Sequence, residues 1–147
     1  MDASTEGRVV SLHLNVAQRE PLKEVESAKF IENVGIEGDH HATLRQARQD
    51  YQVLIVDETA LDAVGVSPGD IRENVTTTGI DVDSLNPGQQ IALGDDVLLS
   101  ISKPCPPCSR MDEFRQGLQQ ELIGRRGMLA SIVQGGLVKT GDRVAVE

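Results

Sequence analysis

Residues 91–101 of this 147-residue chain read Ile-Ala-Leu-Gly-Asp-Asp-Val-Leu-Leu-Ser-Ile. Apolar side chains alternate with other residues before and after the turn Gly94-Asp95-Asp96. A period of two on both sides of a Gly-Asp turn is typical of a β-hairpin. This stretch therefore predicts two antiparallel strands that each bury one face.

Strand patterns recur along most of the chain. Apolar and polar residues alternate through residues 10–16. A continuous apolar run covers residues 52–56, and residues 74–78 are rich in β-branched side chains. We expect the first of these strands to be half-buried and the second to be buried on both faces. The runs 128–133 and 138–146, separated by Gly-Gly, predict a final strand pair.

Two segments have helical patterns. Residues 58–64 predict a short helix with Asp57 as its N-cap. A longer helix is predicted over residues 109–123, because Ser109 and Asp112 resemble a capping box at its start. The apolar residues expected on one face of this helix are Met111, Phe114, Leu118 and Leu122.

These patterns together favour a mainly β fold. Many short strands, glycine-rich turns and few helices are typical of a closed β-barrel, here with one or two short helices. A parallel βαβ fold is less favoured, because helices do not regularly separate the strands. With no linker or internal repeat in the pattern, residues 1–147 are expected to form a single domain.

Charge limits the classes of partner. The net charge of −9 and the scarcity of aromatic residues argue against nucleic acid and against an anionic membrane surface. The N-terminal residues lack the pattern of a signal peptide, so we expect a cytoplasmic protein. Residues 1–99 hold 7 Lys/Arg and 18 Asp/Glu, whereas residues 100–147 hold 7 and 5, so the C-terminal part is the electropositive one. This suits a small anionic ligand there, although chance scatter of solvated charges explains it as well.

The two cysteines of the chain lie between a predicted strand and the longer predicted helix, in residues 104–109, Pro-Cys-Pro-Pro-Cys-Ser. A thiol at a helix start meets unpaired backbone N–H groups, and Lys103 and Arg110 add positive charge near Cys108, so its thiolate is favoured. Thiolates bind soft metals, carry sulfur or attack electrophiles. Cys108 is therefore the better candidate for a functional thiol, while a structural role for Cys105 is as well supported as a functional one.

The Cys-x-x-Cys spacing also fits two other kinds of site. A thioredoxin-like redox pair is one, but the βαβ context expected for it is missing. Half of a zinc site is the other, but the adjacent His40 and His41 do not have the i, i+4 spacing that shares a helical face.

Several motifs follow one another in order along the chain. They are Gly-Asp-His-His at 38–41, Gln-Val-Leu-Ile at 52–55, Pro-Gly-Asp-Ile-Arg-Glu-Asn-Val-Thr-Thr-Thr-Gly-Ile-Asp at 68–81, Leu-Gly-Asp at 93–95, Pro-Cys-Ser-Arg-Met-Asp at 107–112, Arg-Gly-Met at 126–128, and the Gly-Gly and Gly-Asp pairs at 135 and 141. From about residue 35 to residue 146, the chain resembles the MOSC domain, the C-terminal module of molybdenum-cofactor sulfurases that also occurs alone in bacteria.

The resemblance implies a β-barrel and a role for one cysteine. In that family a single Cys, usually one that follows a Pro, is the residue proposed to carry sulfur or ligate molybdenum, and Pro107-Cys108-Ser109 matches this motif better than Pro104-Cys105-Pro106. The resemblance thus implies that Cys108 is the catalytic residue and metal ligand. Similar proteins bind the molybdenum cofactor (molybdopterin) and reduce a small-molecule substrate with an N–OH group. Their electrons come from a separate flavin or iron–sulfur donor protein. This chain has too few cysteines for an iron–sulfur cluster, which normally needs four.

Six residues are expected to bind the cofactor. Arg72, Asn74 and Thr76 alternate along a predicted strand, so their side chains are expected on one side, where they would suit a pterin ring or its phosphate. Asp39 and His40 follow a glycine turn; a pocket role and a simple polar turn are equally consistent with the residues, and the resemblance favours the pocket. The sixth is Arg110. Of the adjacent arginines at 125 and 126, one is expected to cap a helix and the other is left open.

Two other functions remain open at this stage. The first is a sulfur carrier that receives a persulfide from a sulfur donor, or delivers the cofactor, without turnover. The second is a metal-independent thiol protein.

Overall fold

The computed structural model of the chain describes residues 6–17, 20–40, 42 and 51–147. Within these residues the strands are β1 (Glu6–Leu14), β2 (Lys23–Val25), β3 (Ser27–Ile31), β4 (Gly35–Ile36), β5 (Val53–Asp57), β6 (Val75–Thr78), β7 (Gln90–Leu93), β8 (Val97–Pro104), β9 (Met128–Gln134), β10 (Gly136–Lys139) and β11 (Arg143–Val146). The α-helices are α1 (Glu58–Val64), α2 (Arg110–Phe114) and α3 (Leu118–Glu121), and Val82–Ser84 form a 3-10 turn. No helix in the described part of the chain is long and apolar enough to cross a membrane.

Seven strands form a closed barrel. Their order is β11-β7-β8-β9-β5-β6-β1, and pairing of β1 with β11 closes the sheet. The strand β2 extends the sheet from the other end of β1, and β10, β3 and β4 form a second, three-stranded sheet. The predicted mainly β barrel is therefore confirmed.

The strand β5 connects the barrel to the helices. Val53 and Ile55 belong to the barrel core, whereas Leu54 and Val56 belong to a second apolar cluster beneath α1, α2 and α3. All five residues of β5 are buried, as predicted for this run. After β5 the chain passes through α1 and returns as β6, which is parallel to β5. The other barrel neighbours of these two strands, β9 beside β5 and β1 beside β6, are antiparallel to them.

The hairpin quoted at the outset is β7 and β8. Ile91 pairs with Leu99, and Leu93 pairs with Val97 across the turn. The four side chains are buried in the barrel core. Here the alternation in the sequence predicted both the pairing and the buried face.

The strand β1 is not half-buried as predicted. Ser11, His13 and Asn15 are buried, and Val16 just beyond the strand is exposed. A shift of register opposite β6, between Val9 and Ser11, interrupts the simple alternation. Other parts of the chain pack over this polar face and bury it. The alternation of residues along a single strand does not predict such packing.

The predicted final strand pair is also wrong in detail. The two runs form three strands: β9 pairs with β5 and β8, β10 pairs with β3, and β11 pairs with β1 and β7. The chain leaves the barrel at Gly135, where a Cβ would lie 2.5 Å from the carbonyl oxygen of Phe30. It returns after the turn at Gly141.

The long helix predicted over residues 109–123 is divided into α2 and α3. Arg115 has an extended backbone, and its guanidinium donates to the carbonyl oxygen of Val64 at 2.6 Å and to Glu121 at 2.8 Å. Gly117, with φ at 89°, then begins α3.

The other features of that predicted helix are partly correct. Ser109 makes no side-chain cap, and Asp112 instead accepts a hydrogen bond from the backbone N–H of Gln119. Met111, Leu118 and Leu122 are buried as expected, but Phe114 is 53% exposed.

The predicted N-cap of α1 is confirmed, and its carboxylate has more partners than a cap needs. One oxygen of Asp57 accepts from the N–H and the hydroxyl of Thr59. The other accepts from the hydroxyl of Thr77 at 2.7 Å and from the N–H of Ile80 at 3.1 Å. Asp57 therefore joins α1 to both ends of the turn after β6.

We predict that Asp57→Ala lowers the free energy of unfolding by about 2–4 kcal/mol, because a helix cap and buried donors lose their acceptor together. Urea denaturation of the full chain would measure it. Asp62→Ala, on the exposed side of the same helix, is the control and is expected to change stability by less than about 0.5 kcal/mol. Equal effects in both variants would contradict the role given to Asp57.

Candidate functional site

A cavity of about 210 Å³ lies beside the cysteine loop and against the outward side of β5 and β9. Leu54 and Leu129 supply its apolar wall, and both contact the helix-covered cluster rather than the barrel interior. The residues lining the cavity are Asn15, Tyr51, Gln52, Leu54, Arg72, Asn74, Cys105, Cys108, Arg110, Met111, Arg126 and Leu129. The structure therefore brings both cysteines and three arginines to one site.

The two thiols have different surroundings. Cys108 is exposed, and its sulfur lies 3.9 Å from a terminal nitrogen of Arg126. Cys105 is partly buried against the apolar cluster, and this burial raises the pKa of its thiol, although Arg126 and Lys103 oppose the shift. Accessibility and the adjacent guanidinium favour Cys108 as the more reactive thiol.

Side chains from the helical region hold the loop that carries the cysteines. Arg126 donates to the carbonyl oxygen of Pro106 at 3.0 Å, and Gln119 donates to that of Pro107 at 3.4 Å. The N–H of Cys105 donates to the carbonyl oxygen of Gly127. Because α2 has only five residues, its helix dipole contributes little to the environment of Cys108. The positive charge beside the Cys108 sulfur comes instead from the side chain of Arg126.

Arg72, Arg110 and Arg126 surround one side of the cavity. Burial lowers the pKa of Arg72, and the positive charges of Arg110 and Arg126 lower it further, while Asp39 opposes the shift. Three guanidinium groups in mutual repulsion form a local positive field, which an anionic ligand would relieve. Two of these arginines, Arg110 and Arg126, belong to the electropositive C-terminal part of the sequence.

Four buried polar atoms of the residues that line this cavity have no hydrogen-bond partner among the described residues. Three are donors, a terminal nitrogen of Arg72, Nε of Arg126 and the amide nitrogen of Gln52, and one is an acceptor, the amide oxygen of Asn15. A buried group without a partner costs about 1–3 kcal/mol, so such atoms are uncommon in folded proteins.

The side chain of Asn74 fixes the geometry behind the cavity. Its oxygen accepts from the N–H of Leu54 at 3.0 Å, and its amide nitrogen donates to the carbonyl oxygen of His13 and to Asp39. Asp39 also accepts from the N–H of Asn15 at 2.9 Å. Asp39 therefore does not line the cavity but holds two residues that do.

The remaining predicted residues are placed differently. Arg72 has φ at 68° and precedes β6, so the expected alternation does not extend to it. Thr76 is fully buried and donates to Glu73 at 2.8 Å, away from the cavity lining. His40 is exposed and does not line the cavity, and His41 lies outside the described residues.

Several cavity residues escaped the sequence interpretation. Gln52 and Leu54 are two apart on a strand and so share its outward face, which was the available signal for Gln52. Asn15 belongs to the polar face of the alternating run 10–16, which is expected to face solvent, and no pattern marks Tyr51. Arg126, left open between two roles, lines the cavity and contacts the cysteine loop.

In residues 6–17, 20–40, 42 and 51–147, no group of three or more His, Cys, Asp or Glu side chains is arranged to hold a metal ion. A metal bound in this cavity would therefore need ligands that arrive with it, in addition to a thiolate of the protein.

Comparison with known proteins agrees with this description. The family model for the MOSC domain matches residues 37–145. A protein of Gibberella moniliformis named "Reductase" is 28% identical over 134 residues, which cover 80% of this chain but only 23% of that protein.

Solved structures share the fold. The YUAD protein from Bacillus subtilis superposes with a TM-score of 0.83 at 22% sequence identity. The match covers 96% of this chain and 95% of the YUAD chain. YiiM from Escherichia coli superposes with a TM-score of 0.69 at 19% sequence identity, and the match covers 95% of this chain and 69% of the YiiM chain.

The environments of the thiols predict different reactivities. Iodoacetamide is expected to label Cys108 at least about tenfold faster than Cys105 at neutral pH, because Cys108 is exposed and burial disfavours the Cys105 thiolate. Since the pKa of Cys105 is raised, its labelling should increase only at higher pH than for an ordinary thiol. Mass spectrometry of Cys105→Ser and Cys108→Ser proteins would measure each rate separately, and equal rates would contradict the assignment.

Proposed function

The chain belongs to the MOSC-domain family, and on this basis we propose that the cavity beside Cys108 binds the molybdenum cofactor and that the protein reduces N-hydroxylated compounds with electrons from a separate donor. In this proposal Cys108 is the protein ligand of the metal. The net reaction breaks the N–O bond with two electrons and two protons, and the oxygen leaves as water.

The observation that carries the proposal is the set of polar side chains that line the cavity, four of whose buried atoms have no hydrogen-bond partner within the described part of the chain. A pterin presents ring N–H donors and nitrogen and oxygen acceptors, which match a cavity lined by donor side chains of Arg72, Arg126 and Gln52 and by the amide of Asn15. Its phosphate is an anion of the kind that guanidinium groups recognise. The residues present therefore fit the group that the family implies.

Size is consistent with such a ligand. A further cavity of about 190 Å³ adjoins the first at Arg72, Arg110 and Met111. The two together fall in the lower part of the range of small-molecule and cofactor pockets. The boundary formed by Arg72 and Arg110 is a natural position for a phosphate, since both arginines line both cavities.

The protein supplies binding and electrostatics in this scheme. When bound, the cofactor contributes the metal and its dithiolene sulfurs, a redox centre that accepts oxygen. Cys108 provides a soft thiolate, Arg126 stabilises its negative charge and holds the loop, and Asn74 keeps Asp39 and the β5 backbone in place behind it.

Electrons are assigned to a separate donor. The two cysteines of the chain are too few for an iron–sulfur cluster of the usual kind. The fungal relative is named a reductase, and the chain matches less than a quarter of its length, so the reductase activity is taken over here as a proposal only.

A sulfur carrier is the second candidate. Its support is the exposure of Cys108, which a donor protein can reach from solvent. A persulfide on Cys108 in metal-free protein would favour this function over reduction.

We predict that Cys108→Ser abolishes bound molybdenum and N-hydroxy reduction, because the hydroxyl replaces a soft ligand with a hard one of similar shape. The variant and the native protein would be made in a cofactor-competent bacterial host and compared by elemental analysis. Cys105→Ser is the control and is expected to retain most of the metal. Equal loss from both would mean that the two thiols act together, and stoichiometric zinc in the native protein would overturn the proposal.

Arg126 offers a second test that leaves both cysteines in place. Arg126→Gln is expected to weaken cofactor retention by about tenfold or more, since it removes charge-assisted hydrogen bonds at the site. Arg125→Gln removes the same charge from the neighbouring exposed position and should retain the native molybdenum content. The metal content of the two variants, measured after identical dialysis, would distinguish a local role of Arg126 from a general effect of charge.

A further inference from the structure

Asp83 does not line the cavity beside the cysteines, but it is connected to that cavity through the backbone. The residue belongs to the 3-10 turn Val82–Ser84 after β6, and the buried side chain of Val82 fixes this turn in the barrel core. One carboxylate oxygen of Asp83 accepts a hydrogen bond from the N–H of Gly127 at 2.9 Å. Because the two residues lie 44 positions apart, only the tertiary structure brings them together.

The N–H that Asp83 binds belongs to the peptide group between Arg126 and Gly127. A peptide group is planar and moves as one unit, so a hydrogen bond to it restricts the backbone direction at Arg126. On the next peptide group, the carbonyl oxygen of Gly127 accepts from the N–H of Cys105 at 3.0 Å. Gly127 has φ at 80°, and a Cβ there would overlap the carbonyl oxygen of Ile55. This short segment is therefore held closely against β5 and the cysteine loop.

The side chain that leaves this segment, that of Arg126, contacts two other parts of the site. One terminal nitrogen donates to the carbonyl oxygen of Pro106 at 3.0 Å and lies 3.9 Å from the sulfur of Cys108. The other donates to the carbonyl oxygen of Ile71 at 3.3 Å. An arginine side chain has considerable rotamer freedom, which costs about 2 kcal/mol to restrict. The position of its guanidinium therefore depends on how firmly its backbone is fixed.

The surroundings of Asp83 are consistent with a role in fixing the backbone. Burial raises the pKa of this half-buried carboxyl, and the N–H of Gly127 opposes the shift because it stabilises the charged form. Asp81 and Asp57 raise the pKa further, whereas Arg125 lowers it. The peptide group that Asp83 positions thus also stabilises its carboxylate.

We propose that Asp83 is a positioning residue for the thiolate of Cys108. Its carboxylate fixes the peptide group after Arg126 and thereby keeps the guanidinium of Arg126 beside the Cys108 sulfur. The inference rests on the proposed function in so far as this thiolate is the proposed metal ligand. It concerns protein atoms alone, however, and is tested on metal-free protein.

The rate at which iodoacetamide labels Cys108 measures this effect, in the whole chain carrying Cys105→Ser and at neutral pH. Asp83→Ala is expected to slow labelling by about twofold or more, because a guanidinium that moves away from the sulfur favours the thiolate less. Loss of the negative charge alone would act in the opposite direction, since removing a nearby anion favours ionisation of a thiol. An unchanged or faster rate in Asp83→Ala would therefore overturn the proposal.

Variants of the same turn provide the controls. Asp83→Asn keeps an acceptor oxygen for the N–H of Gly127 and is expected to label at nearly the parent rate. Asp81→Ala removes the same charge from an exposed side chain that makes no cap, and it should not slow labelling. If Asp83→Ala does not fold, Asp83→Ser replaces it, because its hydroxyl is one bond closer to the backbone and should slow labelling likewise. Equal slowing in the Asp81 and Asp83 variants would reject the specific role of Asp83.

A double-mutant cycle tests whether Asp83 acts through Arg126. Arg126→Gln is expected to slow labelling of Cys108, and adding Asp83→Ala should slow it no further, since the guanidinium that Asp83 positions is already absent. Additive slowing would mean that Asp83 acts by another route and would contradict the proposal.

The molybdenum content of the native protein separates this inference from the proposed function. Slowed labelling in Asp83→Ala, together with native protein that holds no molybdenum, would support the inference and count against the proposed function alone. Bound molybdenum in the native protein, together with unchanged labelling in Asp83→Ala, would support the proposed function and overturn the inference.

Discussion

Strand β5 has no face in contact with water. Val53 and Ile55 pack inside the barrel, and Leu54 and Val56 pack beneath the three helices. Burying a side chain of this size contributes about 1.5–3 kcal/mol to the free energy of folding relative to leaving it exposed. The strand is therefore stable only when both the barrel core and the helical layer are in place. The barrel and the helical layer are therefore mutually dependent, and the cysteine loop, which runs between them, is positioned by both.

The same strand sets the back wall of the site. Asn74 pairs with Leu54 through its side chain as well as its backbone, and Asp39 then connects Asn74 to Asn15. The side chains of Asn74 and Asp39 have hydrogen-bond partners, whereas four buried atoms of the cavity-lining residues have none within the described part of the chain. Hydrogen bonds behind the cavity thus hold Asn74 and Asn15, two of its lining residues, in fixed positions.

Arg72 separates two cavities of opposite charge. On one side lie two more arginines and the thiols, and on the other lie the carboxylates of Glu20, Glu24 and Asp70 and the buried ring of His13. The backbone of Arg72 has positive φ, a conformation that a residue other than glycine adopts at some cost and that occurs often at functional positions. Its guanidinium is thereby placed where it contributes to the polarity of both sites.

The sequence by itself determined the barrel class, the hairpin at 91–101, the doubly buried strand at 52–56 and the capped helix after Asp57, because each depends on local periodicity or on neighbouring residues. It also identified the cysteine loop. Only the tertiary structure decided that Ser11, His13 and Asn15 are buried, that the helix after Cys108 is divided at Arg115, and that Gln52, Arg72 and Arg126 meet at one cavity. These outcomes depend on contacts between residues far apart in the chain, such as Arg115 with the carbonyl of Val64, and no local pattern encodes such contacts.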